Sequence, residues 1–141
     1  MRGYLLDTNI ISELRNKNPE PRVVEWMAAV DESLLHLSIL TLGEIRKGAA
    51  LLPQGKRRTQ LESWLEVDLQ ARFARRILPI DSGVADRWGW ITAEAKLKGL
   101  TLPVIDGLLA ATALHHNLTI VSRNIKDFVT TKVPALNPWE A

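Results

Sequence analysis

This chain of 141 residues predicts a single α/β domain with a mostly parallel sheet. Three observations carry that expectation. Short apolar runs alternate with longer stretches whose apolar residues recur at helical spacing. No internal repeat or linker interrupts the alternation, so residues 1–141 read as one domain. The gaps between the short runs are long enough for helical crossovers, which parallel strands require.

The elements follow in order. Gly3 to Leu6 reads as a short buried strand, and the helix after it runs through Ile10, Ile11 and Leu14. Pro19 and Pro21 end that region. A second helix begins near Arg22, with Val23, Trp26, Met27 and Val30 on one face. "LLHLS" (Leu34 to Ser38) is the next strand, and "TLGEIRKGAALL" continues as a helix until "PQG" breaks it. From Lys56 to Arg76 a long amphipathic helix carries Leu61, Trp64, Leu65, Leu69 and Phe73. "ILPI" (Ile77 to Ile80) is a short strand, after which Asp81 or Ser82 caps a helix that Gly99 closes. A helix from Ile105 to His116 precedes the strand "LTIVS" (Leu118 to Ser122), and "ALNPWEA" supplies a last short edge strand.

Composition narrows the function classes. A domain this long buries roughly two-thirds of its unfolded surface. Without a cysteine there is no disulfide, thiolate metal site or cysteine nucleophile. Asp7 comes too early for a secretory signal, and no apolar run reaches the ~20 residues of a membrane span. A cytoplasmic protein is expected. The net charge of +2 is too small to argue polyanion binding, but Lys56–Arg57–Arg58 and Arg72–Arg75–Arg76 form basic clusters able to contact phosphates. Either cluster taken alone reads first as a solvated helix face.

The acids are more informative. Parallel strands put their C-terminal ends on one side, and ligands bind outside those ends. Asp7 ends the first strand, Glu44 lies one turn into the helix after "LLHLS", Asp106 opens the helix after "LPVI", and Asp127 follows "LTIVS" beyond Asn124. Taken singly, Asp7 is a helix cap, Asp106 a first-turn acid, Glu44 an exposed helix acid and Asp127 a loop residue. Together they would crowd one sheet edge, raising one another's pKa. A divalent cation relieves that repulsion, and all-oxygen ligation selects Mg²⁺ or Mn²⁺. Zinc is disfavoured, since the histidines (His36, His115, His116) lie elsewhere. The adjacent pair cannot share one helical face and reads as ordinary helix C-terminus. No GxxxxGK[ST] or GxGxxG loop is present, so the acids must carry any phosphoryl chemistry.

"LLDTNIISEL", "LSILTLGEIRKGAALLP.GKRR", "LPVIDGLLAATALHHNLTIVSRNIKDF" and "NPW", in that order, resemble the PIN-domain ribonucleases over nearly the whole chain. Among these the sequence is most similar to VapC-type toxins of toxin–antitoxin pairs, in the FitB-like subgroup. The resemblance implies a three-layer α/β/α sandwich and a Mg²⁺- or Mn²⁺-dependent endoribonuclease. It carries the catalytic acids onto Asp7, Glu44 and Asp106. The fourth position is open between Asn124, where many PIN domains have Asp, and Asp127, which fits the FitB-like pattern. Thr8, Asn9, Thr41 and Ser122 are expected to support the acids.

The resemblance also implies partners: an RNA substrate, a second copy of the chain, and a cognate antitoxin that inhibits the toxin. Heterotetramers or larger assemblies follow, with operator DNA reached only through the antitoxin. Homodimer contacts are expected from the helices between Arg22 and Arg76 and from the one around Trp88. Five tryptophans fit a partner groove, with Trp26 and Trp64 as its candidate lining, or simple core packing. Two other readings compete. One is an inactive PIN-like binding module, which usually loses acids that this chain keeps. The other is an aspartyl-phosphate phosphotransfer domain built on Asp7. It lacks a second acid two residues on, where Asn9 stands.

Overall fold

The computed structural model describes residues 3–140; Met1, Arg2 and Ala141, the ends of the expected domain, lie outside them. Five parallel strands form one sheet in the order β3-β2-β1-β4-β5. They are β1 (Tyr4–Leu6), β2 (Leu35–Ser38), β3 (Ile77–Leu78), β4 (Thr119–Val121) and β5 (Ala135–Leu136). From β1 the chain winds outward to β2 and β3, then returns to the other side of β1 for β4 and β5. The crevice between β1 and β4 is therefore the topological switch point, where such sheets bind ligands.

Among the described residues seven α-helices flank the sheet: α1 (Thr8–Leu14), α2 (Pro21–Ala29), α3 (Ile39–Leu51), α4 (Lys56–Ser63), α5 (Gln70–Arg72), α6 (Ser82–Leu97) and α7 (Val104–His115). Alternation along β1 separates two cores. Leu6 faces Ile10, Ile11, Val23, Leu37, Leu65, Leu69 and Phe73, contributed largely by α1, α2 and the long helical arm. Its neighbour Leu5 faces the other way, onto Leu109, Ala110, Ala113 and Phe128. Three layers result, as the family resemblance implies. Each fully buried Leu or Phe contributes about 1.5–3 kcal/mol of apolar transfer.

The expected helix from Lys56 to Arg76 contains a departure. Between α4 and α5 the backbone is π-helical over Trp64–Leu69. Leu61, Leu65, Leu69 and Phe73 are spaced by four, a spacing that drifts about 40° per step around a regular α-helix. The wider π turn reverses the drift, so Leu65, Leu69 and Phe73 are all buried in one core. Smaller differences have local causes. β3 stops at Leu78 because Pro79 has no N–H for the ladder. The helix expected from Ile105 begins one residue earlier, at Val104. Asp106 accordingly enters from a helix's first turn. Gly99, at φ 74°, closes α6: Leu100 N–H donates to Ala95 O and Gly99 N–H to Lys96 O, each at 2.9 Å. No helix among the described residues is long and apolar enough to cross a membrane.

Candidate active site

Register builds the first half of the site. Leu6 pairs with Val121, and Asp7 N–H donates to Val121 O at 2.9 Å, so the next residues, Asp7 and Ser122, sit side by side at the switch point. Ser122 is completely buried, and its Oγ donates to Asp7 Oδ2 at 2.8 Å. The same Oγ accepts from Asn9 Nδ2 at 3.2 Å and from Asn124 N–H at 3.0 Å. Asp7 Oδ1 accepts Thr8 N–H at 2.7 Å, capping α1. Asn9 Oδ1 in turn accepts Arg123 N–H at 3.2 Å. Capping and site-building are thus one arrangement, with the Asp7 carboxylate held from both strands.

α3 supplies the next acid. Ser38 at the end of β2 caps it, its Oγ accepting Leu40 N–H at 3.0 Å. Thr41, buried, and Glu44, exposed, follow on the face turned to α1. Thr8 Oγ1 donates to Glu44 Oε1 at 2.6 Å and shares a hydrogen bond with Thr41 Oγ1 at 3.1 Å. Asp106, half-buried, lies in the first turn of α7, and Asp127, exposed, in the 3₁₀ turn Ile125–Thr131 after β4.

Electrostatics show that these acids share one field. Burial pushes the Asp7 carboxyl above its ordinary range. The Ser122 and Thr8 hydrogen bonds oppose the rise, and the charges of Glu44 and Asp127 add to it. Asp106 is also raised, first by burial and then by Asp127, Asp7 and Glu44. No three of the four offer oxygens within 4.8 Å of one another; a cation drawing them together would offset both shifts by favouring the charged carboxylates. The donors are carboxylates with hydroxyl and amide neighbours and no imidazole or thiolate, so the set suits a hard ion such as Mg²⁺ or Mn²⁺.

The two candidates for the fourth position differ in their surroundings. Asp127 is the residue whose charge reaches Asp7 and Asp106. Asn124 contributes its backbone N–H to Ser122, and it lines a different cleft, with Arg22, Lys126 and Trp139.

The basic clusters part company. Arg72 and Arg76 are engaged with Glu32 (3.1 and 3.0 Å), and Arg76 also donates to the carbonyls of Glu32 and Leu35, both at 2.6 Å. That cluster fastens the end of the helical arm to β2. Arg57, by contrast, lines a cleft of about 340 Å³ that starts at Thr8 and Glu44 and runs between α1, α3 and α4 to Trp64. Arg15, which the sequence did not single out, lies over the Trp64 ring at 4.6 Å. A basic residue one turn past the buried Ile11 was its sequence signal. Trp26 instead packs edge-on against Tyr4, ring centroids 5.1 Å apart.

The PIN-domain family profile matches residues 4–132. The chain belongs to the PIN-domain family. Toxin FitB of Neisseria gonorrhoeae is 41% identical over 135 residues, covering 96% of this chain and 97% of FitB. VapC ribonuclease Y4jK of Sinorhizobium fredii is 37% identical over 136 residues, covering 96% and 97%. Among solved structures, FitAcB from Neisseria gonorrhoeae superposes with a TM-score of 0.92 at 40% identity, covering 98% of this PIN domain and 99% of that chain.

Proposed function

We propose that this PIN domain is the toxin of a VapBC/FitAB-type pair and cleaves RNA as a Mg²⁺- or Mn²⁺-dependent endoribonuclease in the cytoplasm. The observation that carries the reading is the Asp7 carboxylate, fixed by Ser122 at the switch point and sharing its field with Glu44, Asp106 and Asp127. Its similarity to a toxin and to a VapC ribonuclease supports the same conclusion.

Asp7 and Asp106 would hold the ion, with Asp127 completing the acidic pocket. When bound, the ion supplies Lewis-acid polarisation of the scissile phosphate and lowers the pKa of water. Glu44, oriented by Thr8, positions the attacking water and accepts its proton. Ser122 and Asn9 keep the Asp7 carboxylate from turning away as charge develops.

Inhibition follows from position. The cleft that begins at Thr8 and Glu44 ends against Leu61 and Trp64, so a cognate antitoxin lying along it would reach Glu44 directly. Operator DNA would be met only through that antitoxin. Trp90 and Leu97, 67% and 88% exposed on one face of α6, fit a homodimer contact, because large apolar groups at i and i+7 seek a partner surface.

The test is single-turnover cleavage of RNA by purified Asp7→Asn and Asp106→Asn variants with Mg²⁺ or Mn²⁺. Cleavage should disappear while circular dichroism stays that of the parent. Activity retained in both variants would overturn the assignment. An inactive parent that still binds RNA would favour the binding-module reading.

A further inference from the structure

At the other end of α7, Asp81, His115 and His116 bring a carboxylate oxygen and two imidazole nitrogens within 4.8 Å of one another. Asp106 and His115 lie on the same helix, about 13 Å apart along its axis at 1.5 Å per residue. The cluster is thus separate from the acids at the switch point.

Three local features assemble it. α7 ends at His115, and His116 is its C-cap at φ −100°, ψ 7°, followed by left-handed Asn117 at φ 56°. Adjacent histidines cannot share a face of a continuing helix, but here the helix stops between them. Their rings meet edge to face, centroids 4.9 Å apart at 83°. Opposite them Asp81 caps α6, and the bond from Val84 N–H (2.9 Å) engages only its Oδ1. The third feature is Gly83 in the first turn of α6. A Cβ there would come within 2.8 Å of His115 Nε2, so the His115 ring occupies space that only glycine leaves open.

We infer that Asp81, His115 and His116 form a second metal site, selective for a borderline dication of the Zn²⁺ class rather than for Mg²⁺. Imidazole nitrogen suits Zn²⁺, Ni²⁺ and Cu²⁺, whereas Mg²⁺ prefers all-oxygen shells. Three protein donors leave a fourth tetrahedral position for water or a donor from another molecule. His116 gives an independent sign: its Nε2 is buried and has no hydrogen-bond partner. Buried polar atoms are rarely left so, and coordination through that nitrogen would satisfy it. Asp81 and His115 are exposed, which leaves the position open to an incoming ion.

Zn²⁺ affinity of the full chain, measured by competition with a chromophoric chelator, tests the site, with Co²⁺ absorption reporting the ligand field. The parent and the Asp7→Asn/Asp106→Asn double variant should each bind one equivalent at this site with equal affinity. His115→Ala and His116→Ala should each weaken binding at least about tenfold. Gly83→Ala, which keeps all three donors but displaces the His115 ring, should weaken it as well. Affinity unchanged in these three variants, or lost in the Asp7→Asn/Asp106→Asn protein, would overturn the inference.

Discussion

Thr8 Oγ1 donates to Glu44 Oε1 at 2.6 Å, tying the start of α1 to α3 at the mouth of the cleft that Arg57 and Trp64 also line. The contact fixes an otherwise exposed glutamate. Thr8→Val keeps the side chain's shape and removes the donor, so RNA cleavage under single-turnover conditions should fall by about tenfold or more. Thr8→Ser, which restores the hydroxyl, should recover most of the rate. Equal rates for the Val and Ser variants would show that Glu44 needs no orientation.

Ser122 lowers the pKa of Asp7 against the effect of burial. Ser122→Ala removes that hydrogen bond and leaves Asn9 Nδ2 and Asn124 N–H without their acceptor. The Asp7 pKa should rise further, so the acidic limb of the pH–rate profile moves to higher pH. Denaturant unfolding should show a loss of about 1–3 kcal/mol. A pH profile that superposes on the parent's would refute the linkage.

Asp106 has a raised pKa in the folded protein, so the native state holds its proton more tightly than the unfolded chain does. Its contribution to stability is fully present below the ordinary carboxylate range. It is lost as pH rises through the folded value. At neutral pH without metal, Asp106→Asn should therefore raise the melting temperature. Added Mn²⁺ should raise the parent's melting temperature and leave the variant's unchanged. Thermal melts at pH 7 with and without Mn²⁺ decide the matter, and an equal response in both proteins would count against the site.

The two basic clusters should behave differently toward RNA. Arg57 lines the cleft and Arg72 is paired with Glu32. Arg57→Ala should reduce the salt dependence of RNA binding by about one unit of log–log slope. Arg72→Ala should leave the slope alone and cost at most about 1 kcal/mol of stability. Filter binding across a salt series, beside an unfolding curve, separates the two effects.

Much of this organisation is legible in the sequence because it rests on local signals. The strands show as short apolar runs, Asp81 and Gly99 punctuate α6 as such residues do, and the acids adjoin strand ends or helix starts. What is not legible depends on where elements end and meet. The π turn at Trp64–Leu69 is hidden because a four-residue spacing looks like an ordinary amphipathic stripe until the drift is counted. The role of Arg72 and Arg76 depends on Glu32, some forty residues earlier, which no local pattern marks. That Asn124 caps a 3₁₀ turn and Asp127 lies inside it is likewise set by the backbone after β4, which no local pattern marks. His115 and His116 converge only because α7 stops between them, a boundary too fine for periodicity to fix.

The strand order also governs when the site can exist. β1 is the first strand to be made and occupies the centre of the sheet, yet its neighbour at the switch point, β4, starts at Thr119. Until that segment is synthesised, Asp7 has no Ser122 to hold it and Asp127 has not been added. A ribosome-bound fragment lacking its last two dozen residues therefore lacks an assembled acidic centre. On the proposed function, RNA cleavage thus depends on the segment from Thr119 onward, which brings both the partner strand of β1 and Asp127.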